Sequence, residues 1–261
     1  KTHWRRILLG VLTLGMAGAF FASSACAVQI KKVQSGTVTL DNNDTLTTVT
    51  LATPVADQSK CLILLSVRGP AATSGNDQAY LFTAVFEDNS TLLIERAGTG
   101  NLWARVTWYV IEFTDGVNVQ RGITTMKDTT VYKNITLSEF NTNSTFVMLQ
   151  LRAPYANRQY TENLMGTAEI LNSTAIQVHR GTYTGTITTA QTYVYQVVDF
   201  QTDAKVQDGN ITLPYNVKFV NTTFPTPVDP SKSFLITQFR GNSNTLDGDE
   251  GHFVTRGTIV N

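Results

Sequence analysis

The sequence predicts an all-β fold built of tandem antiparallel β-sandwich units, Ig-like or jelly-roll-like, with the third unit incomplete. Three observations carry that prediction. Thr, Val, Asn and Ser are abundant, while helical periodicity is scarce. Short apolar or alternating stretches succeed one another, with turn residues about every 8 to 12 positions. The pattern also returns on itself: Val33-Gln34-Ser35-Gly36 recurs as Val119-Gln120-Arg121-Gly122 and as Val206-Gln207-Asp208-Gly209, a period of about 87 residues. With 42% hydrophobic and 15% charged residues, the chain is too apolar to be disordered. A unit of this length can hold its own core, so the copies read as domains and not as solenoid rungs.

The elements follow in order within each copy. After the Gly comes a Thr-rich strand, at Thr37 to Leu40, Ile123 to Met126 and Asn210 to Leu213. A second lies at Leu46 to Leu51, Val131 to Leu137 and Val217 to Thr223. The third, Lys60 to Gly69, Ser144 to Ala153 and Lys232 to Gly241, is an almost continuous apolar run ending in Arg68, Arg152 or Arg240. Such a run suits a strand buried on both faces at the centre of a sheet. A polar loop of different wording follows, then a fourth strand at Tyr80 to Phe86, Asn163 to Ile170 and His252 to Thr258. Matched Asn-Ser-Thr turns at Asn89 and Asn172 lead to strands Leu92 to Arg96 and Ala175 to Arg180. Long aromatic strands, Trp103 to Phe113 and Thr192 to Phe200, close the first two copies.

The expected organisation is a signal peptide over 1–27, units over 28–118 and 119–205, and a partial unit over 206–261. Lys1 to Arg6 form a basic head, Ile7 to Ala22 an uncharged apolar run, and Ala25-Cys26-Ala27 an A-x-A cleavage site before Val28. Two other readings stay open: a retained membrane anchor, and a lipid on Cys26. Cleavage would leave 17 basic against 20 acidic side chains, a net charge of −3, and Cys61 as the single thiol. Stability must then come from packing, not from a disulfide. Formal net charge is +0 for the whole chain, which offers no field for nucleic acid. The third copy reaches only its Asn-Ser-Thr position at Asn261, lacking the closing strand. Either more sequence lies downstream, or a strand from another subunit fills the third sandwich.

The Val-Gln-x-Gly openings, the apolar strand ending in Arg, and the Trp108-Tyr109-Val110-Ile111-Glu112-Phe113 closing resemble tandem β-sandwich repeats of uncharacterised secreted bacterial proteins and phage virion proteins. The resemblance covers about residues 33 to 261 and implies a structural or receptor-contacting role, with no catalytic residues to carry over.

Candidate site residues are few. Arg68, Arg152 and Arg240 recur at strand ends, and Glu112 and Asp199 recur in the closing strands. They read as structural repeat residues, an Arg–carboxylate pair or an Arg bonded to loop carbonyls at one end of each sandwich. Tyr155 and Tyr160, in the second copy's variable loop, are the candidate ligand-contact residues, suited to stacking on sugar rings. Trp103, Trp108 and Tyr109 cluster on one strand, Trp108 matching Tyr195 as a core position. Asp247 to Gly251 is a dense acidic loop without EF-hand spacing, and the histidines and thiol are too few for a metal centre. Neither cofactor nor metal is expected, and no nucleophile elbow or phosphate loop is present. The expected function is therefore a secreted or cell-surface, non-enzymatic structural or assembly protein. Its expected partners are further copies or another surface protein. The alternative is a glycan- or receptor-binding adhesin using the loops after Arg68, Arg152 and Arg240.

Overall fold

Among the described residues, twelve strands fall into two sets of six. The first comprises β1 (Ile30–Leu40), β2 (Leu46–Thr50), β3 (Cys61–Arg68), β4 (Phe82–Phe86), β5 (Thr91–Arg96) and β6 (Ala104–Phe113). The second comprises β7 (Val117–Asp128), β8 (Tyr132–Thr136), β9 (Thr145–Arg152), β10 (Gly166–Asn172), β11 (Ala175–Arg180) and β12 (Ile187–Phe200). The structure is a computed structural model that describes residues 28–70, 77–128, 130–154, 165–181, 187–201, 204–214, 217 and 219–241. Among these residues the fold is all-β, with every ladder antiparallel.

Both sets pair in the same order. The first forms sheets β1-β6-β3 and β2-β5-β4; the second forms β7-β12-β9 and β8-β11-β10. Alternation decides which side chains face inward. Along β6, Ala104, Val106, Trp108 and Val110 are buried while Arg105 and Tyr109 are exposed. The inward residues of both first-set sheets meet in one core, with Leu40 and Ile63 from one sheet against Val49, Ala84 and Ile94 from the other. Met126, Val147, Ile176, Val178, Tyr193 and Val197 do the same for the second set. Each set is thus a two-layer sandwich with its own core.

Three expectations change. The Val-Gln-x-Gly motif lies inside β1 and β7 instead of preceding a strand, and its Gly answers to a ring across the ladder. Gly36 pairs with Trp108, and a Cβ there would lie 2.7 Å from Trp108 Cζ2. Gly122 pairs with Tyr195, whose hydroxyl would be struck in the same way. The Gln of the motif is a clamp: Gln34 Nε2 donates to Thr53 O at 2.8 Å, and its Oε1 accepts from Thr53 N at 3.0 Å. Gln120 does this with Ser138, and Gln207 with Thr226.

The second change concerns the apolar strands ending in Arg. They are edge strands, since β6 and β12 occupy the central places. β3 is apolar on both faces for another reason. Cys61, Ile63, Leu65 and Val67 face their own core, whereas Leu62 and Leu64 belong to a third apolar cluster with Val119, Val198, Phe146 and Met148 of the second sandwich. Burial by a neighbouring unit leaves the same sequence pattern as burial inside a sheet. The corresponding boundary also moves, because β7 begins at Val117, ahead of residue 119.

The third change lies at 204–241, where no strand forms among the described residues. Extended backbone becomes a strand only when a ladder partner takes its hydrogen bonds. Local devices do form there: the Gln207 clamp, and a 3₁₀ turn at Pro230–Lys232 whose capping Asp229 accepts from Ser231 N and Oγ. The same capped turn precedes β3, where Asp57 accepts from Ser59 N and Oγ.

Candidate functional interface

β3 and β4 are the edge strands on one side of the first sandwich, and their outward backbone groups need partners. The outer face of β7-β12-β9 supplies them. Gln196 Oε1 accepts from Ile63 N at 2.9 Å and its Nε2 donates to Ile63 O at 2.8 Å, so one carboxamide closes both groups of one edge residue. Gln150 spans the two sheets: its Oε1 accepts from Ala84 N at 2.7 Å on β4, and its Nε2 donates to Ile63 O at 3.3 Å on β3. Arg121 Nη1 donates to Gln58 O at 2.5 Å, and its Nη2 donates to Cys61 O. The Arg121 guanidinium also lies over the Phe86 ring, 5.4 Å from its centre. Burial pulls that guanidinium down to about 10, still charged at neutral pH.

The polar reach is backed by apolar contact. Leu62 and Phe113 of the first sandwich pack with Val117, Val119 and Val198 of the second. Phe113 and Phe200 meet edge to face at 6.4 Å. Side-chain amides thus do for the open margin what another strand would do, and the apolar cluster keeps water from competing.

The same reach appears once more along the chain. Gln238 Nε2 donates to Val147 O at 2.7 Å, and Phe234 meets Phe146 edge to face at 6.1 Å. Ile63 lies opposite Val110 and Val147 opposite Val197, so the two receiving carbonyls hold corresponding places on β3 and β9.

The repeated residues singled out from the sequence divide between roles. Glu112 and Asp199 are buried and sit opposite Cys61 and Thr145, at the start of β3 and β9. Glu112 Oε1 accepts from Lys31 Nζ at 2.8 Å and from Ala56 N at 3.0 Å. Burial pushes its carboxyl up, but the Lys31 and Ala56 bonds outweigh this and hold it below the usual range. Asp199 accepts from the hydroxyls of Ser144 and Thr145 at 3.1 and 3.2 Å. Both carboxylates anchor the turn that launches the edge strand. Neither pairs with a repeated Arg, because Arg68 lies opposite Arg105, at the other end of β3. The expected Arg–carboxylate pair is therefore corrected by register.

Arg152 is an interface residue: its Nη1 contacts Glu95 Oε2 and donates to Thr83 Oγ1 at 3.1 Å, both on the first sandwich. Arg68 and Arg240 are exposed. The strand-end arginines that do bond loop carbonyls are Arg96 and Arg180, at the ends of β5 and β11. Arg96 is 2% exposed and donates to the carbonyls of Asp41, Asp44, Ala79 and Leu102. Arg180 donates to Thr130 O and Gly181 O. Their signal in the sequence was the recurrence of Arg at the end of two matched strands. Trp108 is buried over Gly36 as a core position, while Trp103 and Tyr109 are exposed.

Tyr155, Tyr160 and the acidic loop from Asp247 lie outside the described residues. Among the described residues no group of three or more His, Cys, Asp or Glu gathers as a metal site. Cys61 is buried, its Sγ 3.2 Å from Asp57 O, and burial pushes the thiol up to about 12. No helix among the described residues is long and apolar enough to cross a membrane. Comparison with protein-family models, curated proteins and solved structures finds no match for this chain.

Proposed function

We propose that the chain is an exported, non-enzymatic structural protein of tandem β-sandwich repeats, each repeat stacked on the one before by capping its open margin. It serves as an extracellular or cell-surface component. The observation that carries this reading is the recurrence of one contact: Gln150 to Ile63 O, then Gln238 to Val147 O at the corresponding place. A contact that recurs at corresponding positions propagates, and a propagating head-to-tail contact builds an extended object. The shared pairing order of the two described sandwiches and the three Gln clamps support a common repeat. The Lys1 to Ala27 leader supports export and cleavage before Val28.

Small-angle scattering of the secreted product tests the stack. An elongated particle with a cross-section of one sandwich is the expected result, and independently tumbling sandwiches on flexible linkers would contradict it. Intact mass of the same product tests the leader, with Val28 as the expected first residue.

A second reading, an adhesin that binds glycan or a receptor, is favoured by the exposed aromatics Trp103 and Tyr109 on the first sandwich. Saturable glycan binding that is lost in Tyr155→Ala with Tyr160→Ala would establish it.

A further inference from the structure

The outer faces of β1-β6-β3 and β7-β12-β9 correspond residue by residue, because register fixes the matching positions. Ser35 lies opposite Tyr109 where Arg121 lies opposite Gln196. Ser66 lies opposite Thr107 where Gln150 lies opposite Val194. On the second sandwich all three positions bond the edge backbone of the first, Arg121 at Cys61 O. On the first sandwich they are two short hydroxyls and a phenol. A carboxamide has a donor and an acceptor side by side and so closes the N–H and the C=O of one edge residue. A serine does not extend that far, and a phenol offers one oxygen for both tasks.

Apart from Val33, and from Leu62, Leu64 and Ile111 at the end that packs with the second sandwich, the first face is polar. Thr37 and Thr107 hydroxyls bond each other at 3.2 Å, and Arg68 and Arg105 stand opposite one another, both exposed. Tyr109 is 39% exposed. On the second face Val194, opposite Gln150, takes the place of Thr107. Arg68 holds the place of Arg152, but opposite it Arg105 stands where the second face has Thr192, and burying two guanidinium groups side by side against a sandwich margin would cost more than the margin returns. A polar outer face of this kind is what the terminal unit of a repeat array requires.

We propose that Arg121, Gln150 and Gln196 are the positions that let a sheet face accept a bare sandwich margin. The first sandwich, with Ser35, Ser66 and Tyr109 there, is the end cap of the stack. Stacking then proceeds in one direction only, away from this face. The inference rests on the stacked-repeat reading of the chain.

The test is Tyr109→Cys in the full chain, labelled with a maleimide at increasing chain concentration and mapped by peptide mass. Cys61, buried and pushed up to about 12, serves as the silent internal reference. The expected result is labelling at position 109 at the rate of an exposed thiol, changing by less than about twofold with concentration. A rate that falls about tenfold or more as concentration rises means another copy covers the face, which overturns the cap. Slow labelling at every concentration means the chain itself covers it, which overturns the cap equally. Amide exchange at Ile63 in the same sample separates this from failure of stacking: fast exchange there sinks the stack, whatever position 109 does.

Discussion

Arg96 in the first sandwich and Arg180 in the second are each buried at a strand end and held by backbone carbonyls, while on the outer faces of the same sandwiches Tyr109 stands in solvent where Gln196 is buried in a contact. Inward, the two units are alike: the same pairing order, a glycine under a ring, a Gln clamp and a buried carboxylate below the edge strand. Outward, they differ at the three positions that close the neighbour's edge backbone, Ser35, Ser66 and Tyr109 against Arg121, Gln150 and Gln196. The fold is therefore set by the inward half of each strand and the association by the outward half. Alternation keeps the two separable, since a substitution on one face leaves the other face in place.

Substitutions on the two faces can break or sharpen this contrast. The largest effect belongs to the inward set. Arg96→Ala opens a cavity and strips four loop carbonyls of their donor, at a cost of roughly 4 kcal/mol, seen as a fall in Tm. Gly36→Ala drives a methyl group into the Trp108 ring and costs roughly 1–3 kcal/mol by denaturant unfolding. Gln196→Ala acts on the outward set and costs roughly 1–2 kcal/mol, because two edge groups of Ile63 lose their partner. The matching outward change on the first sandwich, Tyr109→Ala, is expected to stay within about 0.5 kcal/mol. Equal losses at Gln196 and Tyr109 would erase the contrast.

A smaller effect is pH-dependent. The folded Glu112 carboxyl is held below its unfolded value of about 4.3, so its contribution is complete above that pH and is lost as pH falls through the folded value. Glu112→Gln should flatten the acid limb of the stability profile; an unchanged limb would show that the Lys31 and Ala56 bonds do not hold the charge. A small loss is also expected at the partly exposed Arg152–Glu95 pair, where Arg152→Ala should cost about 0.5–1 kcal/mol and less in high salt.

Much of this was legible in the sequence. Strand positions were, because apolar alternation and turn residues are local signals; Ala175 to Arg180 matches β11 end for end. The order of strands within a sheet was not. An apolar run such as Cys61 to Arg68 says that both faces are covered and is silent on what covers them, so an edge strand closed by a neighbour was read as a central one. Gln150 and Gln196 carried no signal of their own, since a glutamine on an outward face is ordinary until the edge it bonds is known. The buried Arg96 was legible only through its match with Arg180 at the end of the corresponding strand.

Residue-resolved amide hydrogen exchange at Ile63 and Ala84 tests the central claim most directly. Both amides point away from their sheets on edge strands, where exchange in an isolated sandwich is fast. If the second sandwich caps this margin, both are protected like interior strand amides. Gln196→Ala then exposes Ile63 alone, and Gln150→Ala exposes Ala84. Fast exchange of both amides in the unaltered protein would mean that the margin is open and that the two sandwiches are neighbours in sequence only.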